Sequence, residues 1–230
     1  MKVVILAGGK GTRLSEYTKT IPKPMTKIHK FPIIIYIMKH YAKYGFKDFI
    51  IATGYKKNVI EKYFKRKFFD WNIKLVNTGK ETMTGGRIKR LKKIIKNETF
   101  MLTYGDGLSD VNLKKLLLFH YKNKATVTLT AVRPPSRFGA ISLKGNKVTV
   151  FREKSSLDSG WINGGFFVME PEIFKFIKND KTFLEREPMS KLDSKKKLFA
   201  FRHYKFWQCM DTKRDKEILE KLIKKYKKNF

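Results

Sequence analysis

A chain of 230 residues, 42% of them hydrophobic, is long enough for one domain and buries roughly 70% of its unfolded surface without disulfides or structural metals. Cys209 is the only cysteine, so an intrachain disulfide is excluded; no window approaches the ~18 apolar residues of a membrane span, and the expected compartment is the cytoplasm. The formal charge of +32 raises nucleic acid or an anionic membrane surface as partners, but the lysines are spread between apolar residues on helices, the pattern of solvated faces, and neither partner is expected.

In chain order, residues 3–7 read as a buried strand that empties into a loop carrying Gly8, Gly9 and Gly11. Glycines there permit positive φ and let backbone N–H groups approach an anion, so the natural ligand of the loop is a phosphate. It is not a P-loop, because neither Gly8 nor Gly9 leads to the required Gly-Lys-Ser/Thr ending. It is not a dinucleotide fingerprint either, since Leu14 stands where a third glycine is needed. Two cations flank it: Arg13 at the exit, and Lys23 held between Pro22 and Pro24, which fix the backbone and preorganise its stem.

Residues 33–44 then read as an apolar helix that Gly45 terminates. A strand over 48–53, a helix over about 56–68 and a strand over 73–77 follow, with a polar loop from Thr78 through Thr82 to Gly86 that opens a helix at Arg87. Residues 100–104 form the next strand and stop at Gly105-Asp106-Gly107. Strands are read over 126–132, 139–143, 147–152, 162–168 and 199–202, a hairpin turn at 144–146, and helices over 171–177, 184–192 and 211–226. The alternation predicts an α/β fold, a mostly parallel sheet with helices on both faces and a small antiparallel portion in the second half.

In such a sheet ligands collect at the carboxyl ends of the parallel strands, where the first loop, residues 78–87 and Gly105-Asp106-Gly107 all fall. An Asp between two glycines suits a metal ligand, or simply a turn. Asp211 is a second candidate acid, or the cap of the terminal helix. Arg87 sits just after Gly85-Gly86 in the loop expected to cover a base, and it can only donate. That suits cytosine, whose O2 and N3 both accept, better than uracil. The alternative is a solvated Arg in a first helical turn, although a cation there is electrostatically disfavoured.

Residues 6–14, Leu6-Ala-Gly-Gly-Lys-Gly-Thr-Arg-Leu14, and Pro22-Lys-Pro-Met25 resemble the signature of the sugar-phosphate nucleotidyltransferases. Phe138-Gly-Ala, Phe151-Arg-Glu-Lys154, Trp161-Ile-Asn-Gly-Gly-Phe-Phe-Val168, Glu185-Arg-Glu-Pro188 and Phe206-Trp-Gln-Cys-Met-Asp-Thr-Lys-Arg-Asp215 look like one branch of them, the glucose-1-phosphate cytidylyltransferases. The resemblance implies the Rossmann-like nucleotide-diphospho-sugar transferase fold. It implies a single domain with a nucleotide half over 1–123, a sugar-phosphate half over 124–215 and a C-terminal helix over 211–230. It also implies Mg2+ on Asp106 and Asp211, CTP and glucose 1-phosphate as reactants, CDP-glucose as product, and a homo-oligomer.

By the same resemblance, Arg13 and the loop of Leu6, Ala7, Gly8, Gly9, Lys10, Gly11 and Thr12 hold the leaving phosphates. Lys23 faces the α-phosphate, and Thr78, Thr82, Arg87 and Gly105 complete the nucleotide site. Lys154 holds the sugar phosphate, while Glu153, Asn163 and the backbone of Gly139 read sugar hydroxyls. Arg13, Lys23 and Asp106 form the expected catalytic set. The chain departs from the family in a shorter stretch between Phe64 and Ile73, in Ile28-His-Lys-Phe-Pro32, and at Ser155 and Lys205, none of which is a charged residue of the expected site.

Overall fold

Runs of apolar and β-branched residues form the strands, and their pairing sets the architecture. The computed structural model describes residues 1–65, 70–134, 140–152 and 160–225, with the side chains of Arg13, Ser15, Ala140, Arg152 and Lys225 outside the description. The strands are β1 (Lys2–Leu6), β2 (Lys27–Ile28), β3 (Phe31–Pro32), β4 (Asp48–Thr53), β5 (Asn72–Asn77), β6 (Phe100–Tyr104), β7 (Gly107–Ser109), β8 (Val127–Val132), β9 (Ala140–Lys144), β10 (Lys147–Arg152), β11 (Ile162–Met169), β12 (Leu198–His203) and β13 (Trp207–Cys209). The helices are α1 (Ser15–Thr18), α2 (Ile33–Lys43), α3 (Lys57–Phe64), α4 (Thr84–Arg90), α5 (Lys92–Ile95), α6 (Leu113–Lys122), α7 (Glu187–Ser194) and α8 (Lys213–Lys225).

Among the described residues, seven strands form one sheet in the order β12-β8-β11-β6-β1-β4-β5. The strands β6, β1, β4 and β5 run parallel, as do β8 and β12, while β11 is antiparallel to both of its neighbours. Six strands therefore point their carboxyl ends at one edge, and β11 brings its first residues there instead. That reversal carries Asn163, the second residue of β11, to the edge where ligands collect. It also joins the two halves of the chain, because β11 from the second pairs with β6 from the first.

Successive residues of a strand face opposite sides, so a sheet covered on both faces reads as an unbroken apolar run. Val3 and Ile5 of β1 accordingly enter a core with α2 and α8, whereas Val4 and Leu6 enter a second core with α4 and α5. The helix α2 is buried along most of its length, and Gly45 ends it at φ +89° with its N–H donating to Ala42 O, the left-handed cap expected there.

Several elements differ from the sequence expectation. The helix opening near Arg87 starts three residues earlier, at Thr84, so Gly85 and Gly86 lie inside α4. A Cβ on Gly86 would come within 2.5 Å of the Asp180 backbone, so glycine is used for close packing, which outweighs its poor helix propensity. Residues 171–176 form a 3-10 rather than an α-helix. Finally β7 and β13, three residues each, pair antiparallel and carry no periodicity long enough to be read from the sequence.

Candidate active site

At the carboxyl edge of the sheet lies a cleft of about 600 Å³, lined by the glycine loop, Lys23, α4, the end of β6, the start of β11 and the β7–β13 ribbon. The loop sits where expected because β1 is paired on both sides, so that Leu6 lies between Ala52 and Tyr104. Gly11 takes φ +63°, a conformation that side chains resist, and the Cβ atom of Lys23 would lie 3.0 Å from a Cβ placed on Gly11. Glycine there admits Lys23 to the loop.

Lys23 stands in a short 3-10 turn entered through Pro22. Its Nζ donates to Asp106 Oδ2 at 2.6 Å and to Asp211 Oδ1 at 2.6 Å. Burial works to lower its pKa, but the two carboxylates outweigh that and raise it, so the side chain stays a cation. The two acids, 105 positions apart in the chain, are brought together by the ribbon: Gly107 pairs with Cys209, and Met210 N donates to Asp106 O at 2.9 Å.

The cap of α8 is decided by Thr212 and Asp215. Thr212 Oγ1 accepts from Asp215 N at 3.2 Å while Asp215 Oδ2 accepts from Thr212 N at 2.8 Å, a reciprocal capping box. Asp211 is thereby left to face Lys23, and the reading of it as helix cap is set aside. Cys209, between the acids and half-buried, has its thiol pushed up to about 12 by burial first and then by the negative charge of Asp211 and Asp106. It lines the cleft as a neutral group.

Arg87 requires a correction. Nη1 lies within hydrogen-bonding range of Thr78 Oγ1 at 2.8 Å, Gly79 O at 2.6 Å and Thr53 O at 3.3 Å, and Nη2 donates to Gly8 O at 2.8 Å and reaches Lys80 O at 3.4 Å. These acceptors use the four N–H groups of the two terminal nitrogens, so donation to O2 and N3 of a base would require protein bonds to be given up. The side chain is a brace tying the glycine loop to the ends of β4 and β5, which also explains why a cation is tolerated in the first turns of α4. Its cation balances carbonyl oxygens that converge where three strands end.

Thr78 is fully buried behind this brace, donating to Thr53 O at 2.7 Å, and does not line the cleft. Lys10 turns away from it as well, pairing with Glu81 at 2.9 Å. Leu6, Ala7, Gly8, Gly9, Gly11, Thr12, Lys23, Thr82, Arg87, Gly105, Asp106, Asn163 and Asp211 are brought together at the cleft. The side chain of Arg13, and Gly139, Glu153 and Lys154, lie outside the described residues.

Three further groups were missed by residue-level reasoning. Tyr104 donates to Glu185 Oε1 at 2.6 Å, Thr84 Oγ1 donates to Glu185 Oε2 at 2.6 Å, and Asn163 Nδ2 reaches the Tyr104 hydroxyl at 3.4 Å. Burial, then the Glu185 charge, raises the Tyr104 phenol, which remains a donor. Trp207 Nε1 donates to Gly164 O at 2.7 Å and fastens the ribbon to β11. Tyr104 was accessible to the rule that ligands gather at strand ends, being the last residue of β6. Glu185 and Trp207 had no such signal, because their roles depend on partners far away in the chain.

A nearly buried ammonium held by two carboxylates thus stands beside a glycine-rich loop at the carboxyl edge of the sheet. A profile described as nucleotidyl transferase matches residues 2–211, and the chain belongs to that family. It is 46% identical over 250 residues to the glucose-1-phosphate cytidylyltransferase of Salmonella typhimurium, an alignment covering 99% of this chain and 97% of that one. It is 41% identical to the probable glucose-1-phosphate cytidylyltransferase of Bacillus subtilis, with 92% of each chain covered. Among solved structures, HddC from Yersinia pseudotuberculosis superposes with a TM-score of 0.75 at 25% identity, covering 96% of this chain and 99% of that one.

Proposed function

We propose that this protein transfers a cytidylyl group from CTP to α-D-glucose 1-phosphate, releasing pyrophosphate and forming CDP-glucose, with Mg2+ as cofactor. The observation that carries the chemistry is the convergence of Lys23, Asp106 and Asp211 beside the glycine loop; the likeness to the cytidylyltransferases of Salmonella and Bacillus supports the choice of substrates.

The donor set suits a divalent cation. Two carboxylate oxygens already meet at one positive charge, that of Lys23. Among the described residues no group of three or more His, Cys, Asp or Glu converges, so the remaining ligands would be substrate oxygens and water, which is how Mg2+ is usually held beside nucleotides. When bound, Mg2+ draws negative charge from the triphosphate and so eases attack by a second anion.

The residues of the chain do the rest. The loop amides from Gly8 to Thr12 would donate to the leaving β- and γ-phosphates, a task shared with Arg13. Lys23 stabilises the charge that builds on the α-phosphate as the sugar phosphate attacks in line. No general base is needed, because a phosphate monoester is already ionised at neutral pH. Asn163, positioned by the reversed strand β11, lines the cleft and would contact sugar hydroxyls, as would Glu153 and the Gly139 backbone, while Lys154 would hold the sugar phosphate. Arg87 contributes by holding the wall of the nucleotide pocket, and Thr82 faces the cleft from the same wall.

The protein is further proposed to work in the cytoplasm as a homo-oligomer; among the described residues no helix is long and apolar enough to cross a membrane. A pyrophosphate-release assay across CTP, UTP, dTTP, ATP and GTP with glucose 1-phosphate tests the reading. Release with CTP and Mg2+ is the expected result. Equal release with every triphosphate, or none with glucose 1-phosphate, overturns the assignment.

A further inference from the structure

Two cations have a claim on the same pair of oxygens. Lys23 Nζ lies 2.6 Å from Asp106 Oδ2 and 2.6 Å from Asp211 Oδ1, which leaves no room for a divalent ion on those atoms while the ammonium is there. The carboxylate side chains are 26% and 16% exposed and reach the cleft, whereas that of Lys23 is only 9% exposed. All three side chains line the cleft, so a metal arriving there meets ligand oxygens already taken by the ammonium.

We propose that Lys23 is a tethered occupant of the metal position, and that metal binding and delivery of the Lys23 ammonium to the nucleotide are one exchange. This rests on reading the two carboxylates as the Mg2+ site. The backbone under Lys23 is held, so movement of the ammonium falls to its side-chain torsions. Pro22 and Pro24 flank it, Met25 N donates to Pro22 O at 2.8 Å, and Thr26 N donates to Lys23 O at 3.0 Å. Four side-chain torsions remain to carry the ammonium from one anion to another.

The exchange makes metal and nucleotide binding mutually supportive. Without nucleotide, a metal must displace a cation whose ion-pair partners among the described residues are these two carboxylates, so binding to the free enzyme is weakened. With a triphosphate in the cleft, the displaced ammonium gains a phosphate oxygen and the exchange costs little. Linkage then requires the nucleotide to tighten the metal as much as the metal tightens the nucleotide. Until then, Lys23 keeps two like charges from repelling each other apart and preserves the site in register.

Mn2+ is the probe, its binding followed by electron paramagnetic resonance with and without CTP. Without CTP, Lys23→Met and Lys23→Ala should each bind Mn2+ roughly tenfold or more tightly than the wild type. Lys57→Met, which removes the same charge from the surface of α3 and not from between the carboxylates, should bind like the wild type. Unchanged affinity in the Lys23 variants, or an equal gain in Lys57→Met, overturns the exchange.

In the unaltered protein, acetylation of Lys23 by acetic anhydride, read by mass spectrometry, should rise with Mn2+ at the midpoint seen by resonance. Flat acetylation through Mn2+ saturation overturns the proposal even if the variants do not fold. Failure of the underlying metal reading looks different: Asp106→Asn and Asp211→Asn would then leave Mn2+ binding in the presence of CTP unchanged, whatever Lys23 does.

Discussion

Lys23 keeps its charge in a nearly buried position because two carboxylates outweigh desolvation, and each member of the trio depends on the others. Asp106→Asn and Asp211→Asn, which remove charge without volume, should each lose most turnover while circular dichroism stays native; near-normal turnover at limiting Mg2+ in either would refute the two-carboxylate site. Lys23→Ala should lower turnover by about a hundredfold, ~3 kcal/mol of transition-state stabilisation. A rise in KM for CTP with turnover unchanged would instead make it a ground-state phosphate contact. Arg87 belongs to a different class of residue. With its terminal nitrogens spent on protein oxygens, Arg87→Ala should cost about 3 kcal/mol of stability and weaken CTP and UTP by the same factor. A loss confined to CTP would restore direct base reading.

The ribbon of β7 and β13 does the work of assembly at the level of elements, since it brings Asp106 beside Asp211. The helix α8 is anchored next to it by the capping box of Thr212 and Asp215. Thr212→Ala should cost about 1 kcal/mol in urea unfolding, the usual worth of such a cap. The Thr-x-x-Asp pattern was legible in the sequence and would have freed Asp211 for the site without a structure. Packing of α4 was not legible. Gly85 N and Gly86 N both donate to Thr182 O, and an added Cβ on Gly86 would strike the Asp180 backbone. Gly86→Ala is expected to cost about 1 to 3 kcal/mol and to lower nucleotide affinity through the displaced helix, readable by thermal melting with and without CTP.

Acid sensitivity belongs to the molecule as a whole, because its cause is the burial of imidazoles in the core. Burial lowers His40 from its ordinary 6.5 to about 4, with the ring Nε2–H donating to Val111 O at 3.0 Å. The unfolded chain takes up this proton near pH 6.5 and the folded one only near 4, so stability present above 6.5 is lost as pH falls through that window, by about 3 kcal/mol. His120, lowered by burial against the opposing pull of Glu170, acts in the same direction. Urea unfolding at pH 7, 5.5 and 4.5 should show the decline, and His40→Gln should flatten it; an equal slope in both proteins would remove His40 as its cause. The sequence by itself determined what is local or repeats along the chain. The buried strands, the glycine loop, the proline-flanked Lys23 and the strand-end Asp106 follow from hydrophobic runs and backbone chemistry that neighbours cannot alter. Tertiary structure decided everything that rests on a distant partner: β11 running against its neighbours, Arg87 turning inward to carbonyls of three strand ends, Glu185 meeting Tyr104, and two acids 105 positions apart closing on one lysine. Those contacts depend on strand order and on which oxygen lies within a few ångströms of which nitrogen, and neither is written in the spacing of residues along the chain.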